Sequence, residues 1–409
     1  MQKDDAVVSA GGGPAPVLTH LRRLTDGTGL LQHARFAVAD RRHGYCLDDN
    51  ARALWLAARL APGVAPARGA TAASADVPGP GEATGLAATW ASFVDHAWDR
   101  DALGGRGRFR NFMAYDRRWL ADGGAIEDED AQARGTLALA HVAGSGLGRG
   151  LADWAGSLLV EALRPPALPL ALGSPRAWAA ALVACRAIRD TAARDAEGSR
   201  ASPLAAEAAG HAAEIAPTLA RRLLERHRAA AGDRWPWFED GLAYDNARLC
   251  EGALAGAAEE PALLDVGLRS LHWLVGVQCS PEGRFRPYGN AGFGARGRTA
   301  SPWDQQPLEA WATADAAHLA AELSGDGRWR GEIVRAHAWF LGENDAGSPL
   351  VDADGGCADG IGPHGINANR GAESTLAWLH TACTATPSPR TGPTPGSRPH
   401  APHRASRRT

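Results

Sequence analysis

Six stretches of this chain are apolar on nearly every side, and each opens on charged or capping residues. They begin near positions 49, 129, 175, 246, 309 and 373, a spacing of roughly 50–80 residues. The segments between them carry one polar face. Alanine-rich periodic sequence of this kind favours helix. A helix with no polar face has to be buried. Buried and half-buried helices that alternate at a regular spacing are the mark of a repeated helical hairpin.

The apolar helices also share the way they open. Gly44–Arg52 reads GYCLDDNAR and sets Asp48 and Asp49 just before the apolar run Ala51–Leu60. Tyr244–Leu249 reads YDNARL and again opens an alanine-rich helix. Asp49 and Asp245 are 196 residues apart, about half of the 409-residue chain.

Eleven helices are expected, near 49–61, 84–99, 127–143, 149–163, 174–188, 203–229, 246–258, 261–277, 306–324, 327–343 and 373–383. Pro217 is expected to break the sixth. Residues 62–82 read as a flexible loop, and no run reads as a strand. Six hairpins closed in a ring need a twelfth helix, and residues 16–24 supply it beside the last one. The expected architecture is all-α, an (α/α)6 toroid over residues 14–383. Residues 1–13 and the Pro/Arg-rich 384–409 are expected to be disordered ends.

Charge and cysteine usage narrow the function. The net charge is -3, but residues 384–409 hold five Arg and no acid, which leaves -8 on the rest. An acidic body argues against nucleic acid as the main partner. Six cysteines without CxxC pairs fit reduced thiols in a cytoplasmic protein. No signal-peptide h-region and no long apolar span is visible, so no membrane partner is expected. No clustered His/Cys spacing predicts a metal, no Walker spacing predicts a phosphate loop, and no cofactor is expected.

In a ring of this kind the inner helices run parallel and their N-termini meet at one end. Five of the six carry acids there: Asp48 and Asp49, Glu127 to Glu129, Asp245, Glu309 and Glu373. Glu239 and Asp240 lie in the loop before the fourth. Helix capping explains any one of these acids alone. Five together, nearly all carboxylates where Ser or Thr would cap as well, point instead to a shared site. Paired carboxyls with divergent pKa values carry general acid and base work. The candidate catalytic residues are therefore Asp49, Asp245, Glu309, Glu373, Asp128 and Asp240.

Loops expected at the same end are aromatic and basic. Tyr115, Trp119, Trp235, Trp237, Tyr288 and Trp303 offer faces on which sugar rings stack. Arg108 and its neighbours could donate to hydroxyls or to a substrate carboxylate. Asp48, Arg52, Arg248 and the loop histidine His364 complete the candidate binding set. The competing reading makes the aromatics plugs beneath long loops, and pairs Arg52 and Arg248 with the aspartates three residues before them.

GLLQHARF with GYCLDDNARAL, WPWFEDGLAYDNARL, WDQQPLEAWATADA and GGCADGIGPHGINANRGAESTLAWL together resemble a bacterial six-hairpin family. Its members are often labelled glycosyltransferase-like or glycosidase-like and are found beside glycosyltransferases and mannoside phosphorylases. The resemblance covers about residues 26–383. It implies the six-hairpin glycosidase-superfamily fold, an oligosaccharide as substrate, and a glycosyltransferase or phosphorylase of the same pathway as partner. The leading expectation is a glycoside hydrolase that acts with inversion. A sugar epimerase of the related six-hairpin type would rely on inner-helix histidines. Here those are His141, His318 and His380, all late in their helices. A third reading is a non-catalytic glycan-binding partner.

Overall fold

The computed structural model describes residues 16–61, 80–120, 129–164, 168–197, 202–290, 294–297 and 301–386. Twelve helices of more than one turn fall within them. They are α1 (Thr19–Leu24), α2 (Leu47–Leu60), α3 (Pro80–Ala97), α4 (Glu129–Ala143), α5 (Arg149–Leu163) and α6 (Pro175–Glu197). They continue with α7 (Pro203–Ala230), α8 (Asn246–Ala255), α9 (Ala262–Val277), α10 (Pro307–Ser324), α11 (Arg328–Phe340) and α12 (Ala372–Ala385).

The helices close into a ring. Helices α2, α4, α6, α8, α10 and α12 each pack on the next, and α12 packs back on α2. Outside them, α3 meets α5, α5 meets α7 and α7 meets α9. The N-terminal α1 lies against α12, as expected for the twelfth helix. His20 Nε2 bonds the Arg370 carbonyl at 2.8 Å, and Arg23 pairs with Asp354, which fixes α1 there. The fold is the all-α (α/α)6 toroid.

Small side chains let the inner ring close. From Pro307 to Ala320, α10 is buried at every position except His318. Where α8 crosses α6, a Cβ on Gly252 would lie 2.3 Å from the Cβ of Ala179 and 2.4 Å from its Cα. Both contacts are in rigid helix, so neither side can yield cheaply. Gly252→Ala should lower stability by about 1–3 kcal/mol in a denaturant titration. An unchanged midpoint would mean that α6 and α8 do not pack this closely.

Three expectations need correction. Helix α7 runs unbroken through Pro217; packing of its apolar face outweighs one lost backbone bond. The expected loop 62–82 ends earlier, since α3 starts at Pro80. Short strands are present. Among the described residues, five antiparallel pairs of two residues each tie the loops, among them Tyr45–Cys46 with Phe112–Met113 and Gly241–Leu242 with Gly294–Ala295. Two residues are too few to show a period of two. The expected disordered ends and the loop 62–79 lie outside the described residues.

Candidate active site

Helices α2, α8, α10 and α12 are not capped by the acids at their own starts. Helix α2 begins at Leu47, so Asp48 and Asp49 stand inside its first turn, and the Cys46 Sγ accepts from the Asp49 N–H at 3.5 Å. Asp245 holds the N-cap position of α8, but in a left-handed conformation (φ 49°, ψ 41°), and its side chain makes no cap bond. The free Asn246 N–H at that helix end is met by Glu309 of α10 at 3.3 Å. The same Glu309 Oε2 accepts from Asn246 Nδ2 at 3.0 Å and Gln278 Nε2 at 3.3 Å. Glu129 does the like for α6, accepting from Gly173 N–H at 2.7 Å. Capping thus runs between helices and leaves Asp49, Asp245 and Glu373 to arginines. A left-handed aspartate costs roughly 1 kcal/mol or more, and such strain gathers at functional sites.

The arginines link the carboxylates around the ring. Arg52 Nη1 lies 3.1 Å from Asp49 and 2.7 Å from Glu373. Arg134 of α4 lies 3.1 Å from Asp48, 3.5 Å from Asp130 and 3.6 Å from Asp245. Arg248 lies 3.6 Å from Asp245 Oδ1 and pairs with Glu251. Arg176 of α6 donates through Nε to the Tyr244 carbonyl at 2.6 Å and pairs with Glu239 at 2.7 Å. Asp49 and Asp245 sit on opposite helices of the ring. Arg134, holding both Asp48 and Asp245, joins those two sides.

These groups surround a funnel at the N-terminal end of the inner helices. Its lower part is narrow, with about 20 Å³ open to a water-sized group, and is lined by Arg52, Trp55, Asp130, Arg134, Arg176, Asp245, Arg248 and Trp311, with alanines and two leucines between them. Its upper part is lined by Arg134, Tyr244, Asn290, Gln306, Leu308, Glu309 and Glu373. Trp55 and Trp311 pack 5.4 Å apart as a floor. His141 stacks on Trp55 and His380 on Trp311; His380 is buried and His141 half-buried. Burial pushes His141 down to about 3, and burial with Arg59 nearby holds His380 far below the usual histidine range.

Burial splits the carboxyls. It raises Glu309 to about 7, with the charge of Asp245 adding to the effect against the Asn246 hydrogen bonds. It raises Asp49 to about 7 despite Arg52, helped by Glu373. Asp48 is buried too, but Arg134 and Arg52 outweigh burial and hold it below the usual range. The sign for stability follows. Folding raises the Glu309 pKa, so its contribution is full at low pH and is lost as pH rises towards 7. Glu309→Gln has no such loss. Its stability relative to wild type should therefore climb by roughly 3 kcal/mol between about pH 4.5 and 7. Denaturant midpoints across that range measure it, and a flat difference would place Glu309 in water.

Of the sequence candidates, Arg52, Asp245, Arg248, Glu309 and Glu373 line the funnel. Asp48 and Asp49 support it from behind through Arg134 and Arg52. Asp128 lies outside the described residues, and Asp130 occupies the funnel from that helix. Other candidates are corrected. Asp240 has 88% of its side chain exposed and faces Arg296, because its loop bends away from the ring. Trp237 is fully buried, and its indole N–H bonds the Gly241 carbonyl, so no ligand can stack on it. Trp235 packs edge-on against Trp273, and Trp119 packs on Phe93 and His96. Arg108 is buried in the Trp98–Asp99 strand pair. Tyr115, Trp303 and His364 are exposed and Tyr288 half-buried, and none of them lines this cavity. The plug reading therefore holds for Trp119, Trp235 and Trp237.

Sequence reasoning missed Arg134, Arg176, Tyr244, Trp55 and Trp311. Arg134 stands four residues after Asp130 on a helix already read as inner. Arg176 follows the Ser174–Pro175 helix start directly. Either was open to the argument that selected the acids.

No family profile matches the chain, and no curated protein matches it. The fold is similar to solved structures. A sugar epimerase from a ruminal bacterium matches with TM-score 0.56 and 10% identity, over 90% of this chain and 95% of that one. A GH76 α-mannanase from Bacteroides thetaiotaomicron matches with TM-score 0.55 and 10% identity, over 90% and 92%. A cellobiose 2-epimerase from Spirochaeta thermophila matches with TM-score 0.55 and 15% identity, over 90% and 92%. The chain thus has the fold shared by six-hairpin hydrolases and epimerases. No helix among the described residues is long and apolar enough to cross a membrane.

Proposed function

We propose that this protein is a carbohydrate-active enzyme, a glycoside hydrolase that cleaves an oligosaccharide in the funnel. The observation that carries the reading is the junction of α8 and α10. There Glu309, a carboxyl that burial raises to about 7, stands beside Asp245, which is held by two arginines. A carboxyl raised that far is equipped to give a proton, and the neighbouring acid can receive one from water. Glu309 protonates the glycosidic oxygen as its bond to the anomeric carbon breaks. Water attacks that carbon and passes its proton to Asp245, whose Oδ1 has no hydrogen bond in the folded protein. The Trp floor closes the funnel below, so a chain end enters rather than the middle of a polymer.

The epimerase reading draws on the likeness to sugar epimerases, but the inner-helix histidines disfavour it. His141 and His380 lie behind the tryptophans and His318 is exposed. Incubation with a panel of oligosaccharides distinguishes the outcomes. New reducing ends support hydrolysis, an altered monosaccharide with the linkage intact supports epimerisation, and retention without turnover supports binding alone.

A further inference from the structure

The lower funnel is lined by four arginines and only two aspartates. Two of the arginines are incompletely used. Arg52 spends Nη1 on Asp49 and Glu373, and Arg176 spends Nε and Nη1 on Tyr244 and Glu239. Each keeps an Nη2 that is buried and has no hydrogen-bond partner. Arg52 is 4% exposed and Arg176 7%. A buried guanidinium N–H left unpaired is costly, and such groups in a cavity wall await a ligand. The two arginines come from α2 and α6, on either side of Arg134. Trp311 fixes the nearer plane, with Arg52 at 6.0 Å and Arg248 at 5.6 Å from its ring centroid. A neutral hydroxyl would satisfy one N–H. Two guanidinium groups, each with an Nη2 left over from its ion pairs, match the paired oxygens of an oxyanion.

We propose that the sugar bound in the funnel carries an oxyanion, a carboxylate or a phosphate ester, which reaches down into the narrow lower part between Arg52 and Arg176. This rests on the reading of the funnel as a sugar site and adds the class of sugar it takes.

The test is equilibrium binding to the full chain at fixed ionic strength. The ligands are uronic acids and hexose 6-phosphates of the gluco, galacto and manno series, their neutral parent sugars, and inorganic phosphate. At least one sugar anion should bind about tenfold or more tighter than its neutral parent, the scale of a charge-assisted contact. The uronic-acid and phosphate arms tell which oxyanion is preferred. In Arg176→Gln the ratio of anion to parent affinity should fall towards one. In Arg176→Lys, which keeps the charge and loses the fork, it should lie between. Circular dichroism verifies that each variant is folded. Parents bound as tightly as anions, no saturable binding of any sugar anion, an unchanged ratio in Arg176→Gln, or inorganic phosphate binding as well as the best hexose phosphate would each overturn the proposal. Cleavage of neutral oligosaccharides with no anion preference would defeat this inference and leave the hydrolase reading. Anion preference without cleavage would do the reverse.

Discussion

Asp245→Asn is expected to give a folded protein whose turnover is reduced by about 10²–10⁴-fold. Asn keeps the shape and is well tolerated in the left-handed conformation that Asp245 adopts (φ 49°). No cap is lost, because the Asp245 side chain caps nothing. The change removes the negative charge between Arg134 and Arg248, and with it the capacity to accept a proton from water. Circular dichroism and rate measurement on any substrate found in the oligosaccharide panel test this together. A rate near that of wild type would remove Asp245 from the chemistry and turn the search to Glu373, whose carboxylate also faces the funnel. Glu309→Gln should be equally slow.

The largest effect on stability is expected at Arg134. Its side chain is only 15% exposed, and its guanidinium meets Asp48, Asp130 and Asp245 on three different elements. Arg134→Met keeps the stem and leaves three mostly buried carboxylates facing one another. Breaking a buried ion pair from one side costs about 3–5 kcal/mol, a large share of the stability of an ordinary domain. Arg134→Lys should recover part of it, since the charge returns without the fork. Denaturant midpoints measure both. A loss below about 1 kcal/mol for Arg134→Met would place the network in solvent-like surroundings, where exposed pairs contribute little.

The fold was legible because its signal is long. Six helices with no polar face, recurring at similar intervals, can be buried together in few ways, and the ring of α2, α4, α6, α8, α10 and α12 is the one observed. The convergence of Asp245, Glu309 and Glu373 in one funnel followed from the same argument, because parallel inner helices bring their starts together. The loops were less legible. Trp235 and Trp237 look from sequence like a sugar platform, but whether an indole faces a ligand or a neighbouring helix depends on how its loop folds back. Two-residue strand pairs decide that, and they leave no periodic trace. The arginines were passed over for another reason. Arg134 and Arg176 stand near the starts of inner helices, where the same convergence brings them into the funnel, but the reading weighed carboxylates alone there. The spacing offered the pairing of Asp49 with Arg52 only as the competing reading, and the rise of Asp49 to about 7 is a product of burial that no spacing reveals.

The central claim is that Glu309 and Asp245 act as a proton donor and acceptor on a glycosidic bond. The most direct measurement is the release of new reducing ends from an oligosaccharide panel by wild type, Asp245→Asn and Glu309→Gln, side by side. The account predicts that wild type releases them from at least one oligosaccharide and that both variants, folded, release them at rates lower by about 10²–10⁴-fold. Release by both variants at the wild-type rate, or bound sugar recovered unchanged from all three proteins, would contradict it.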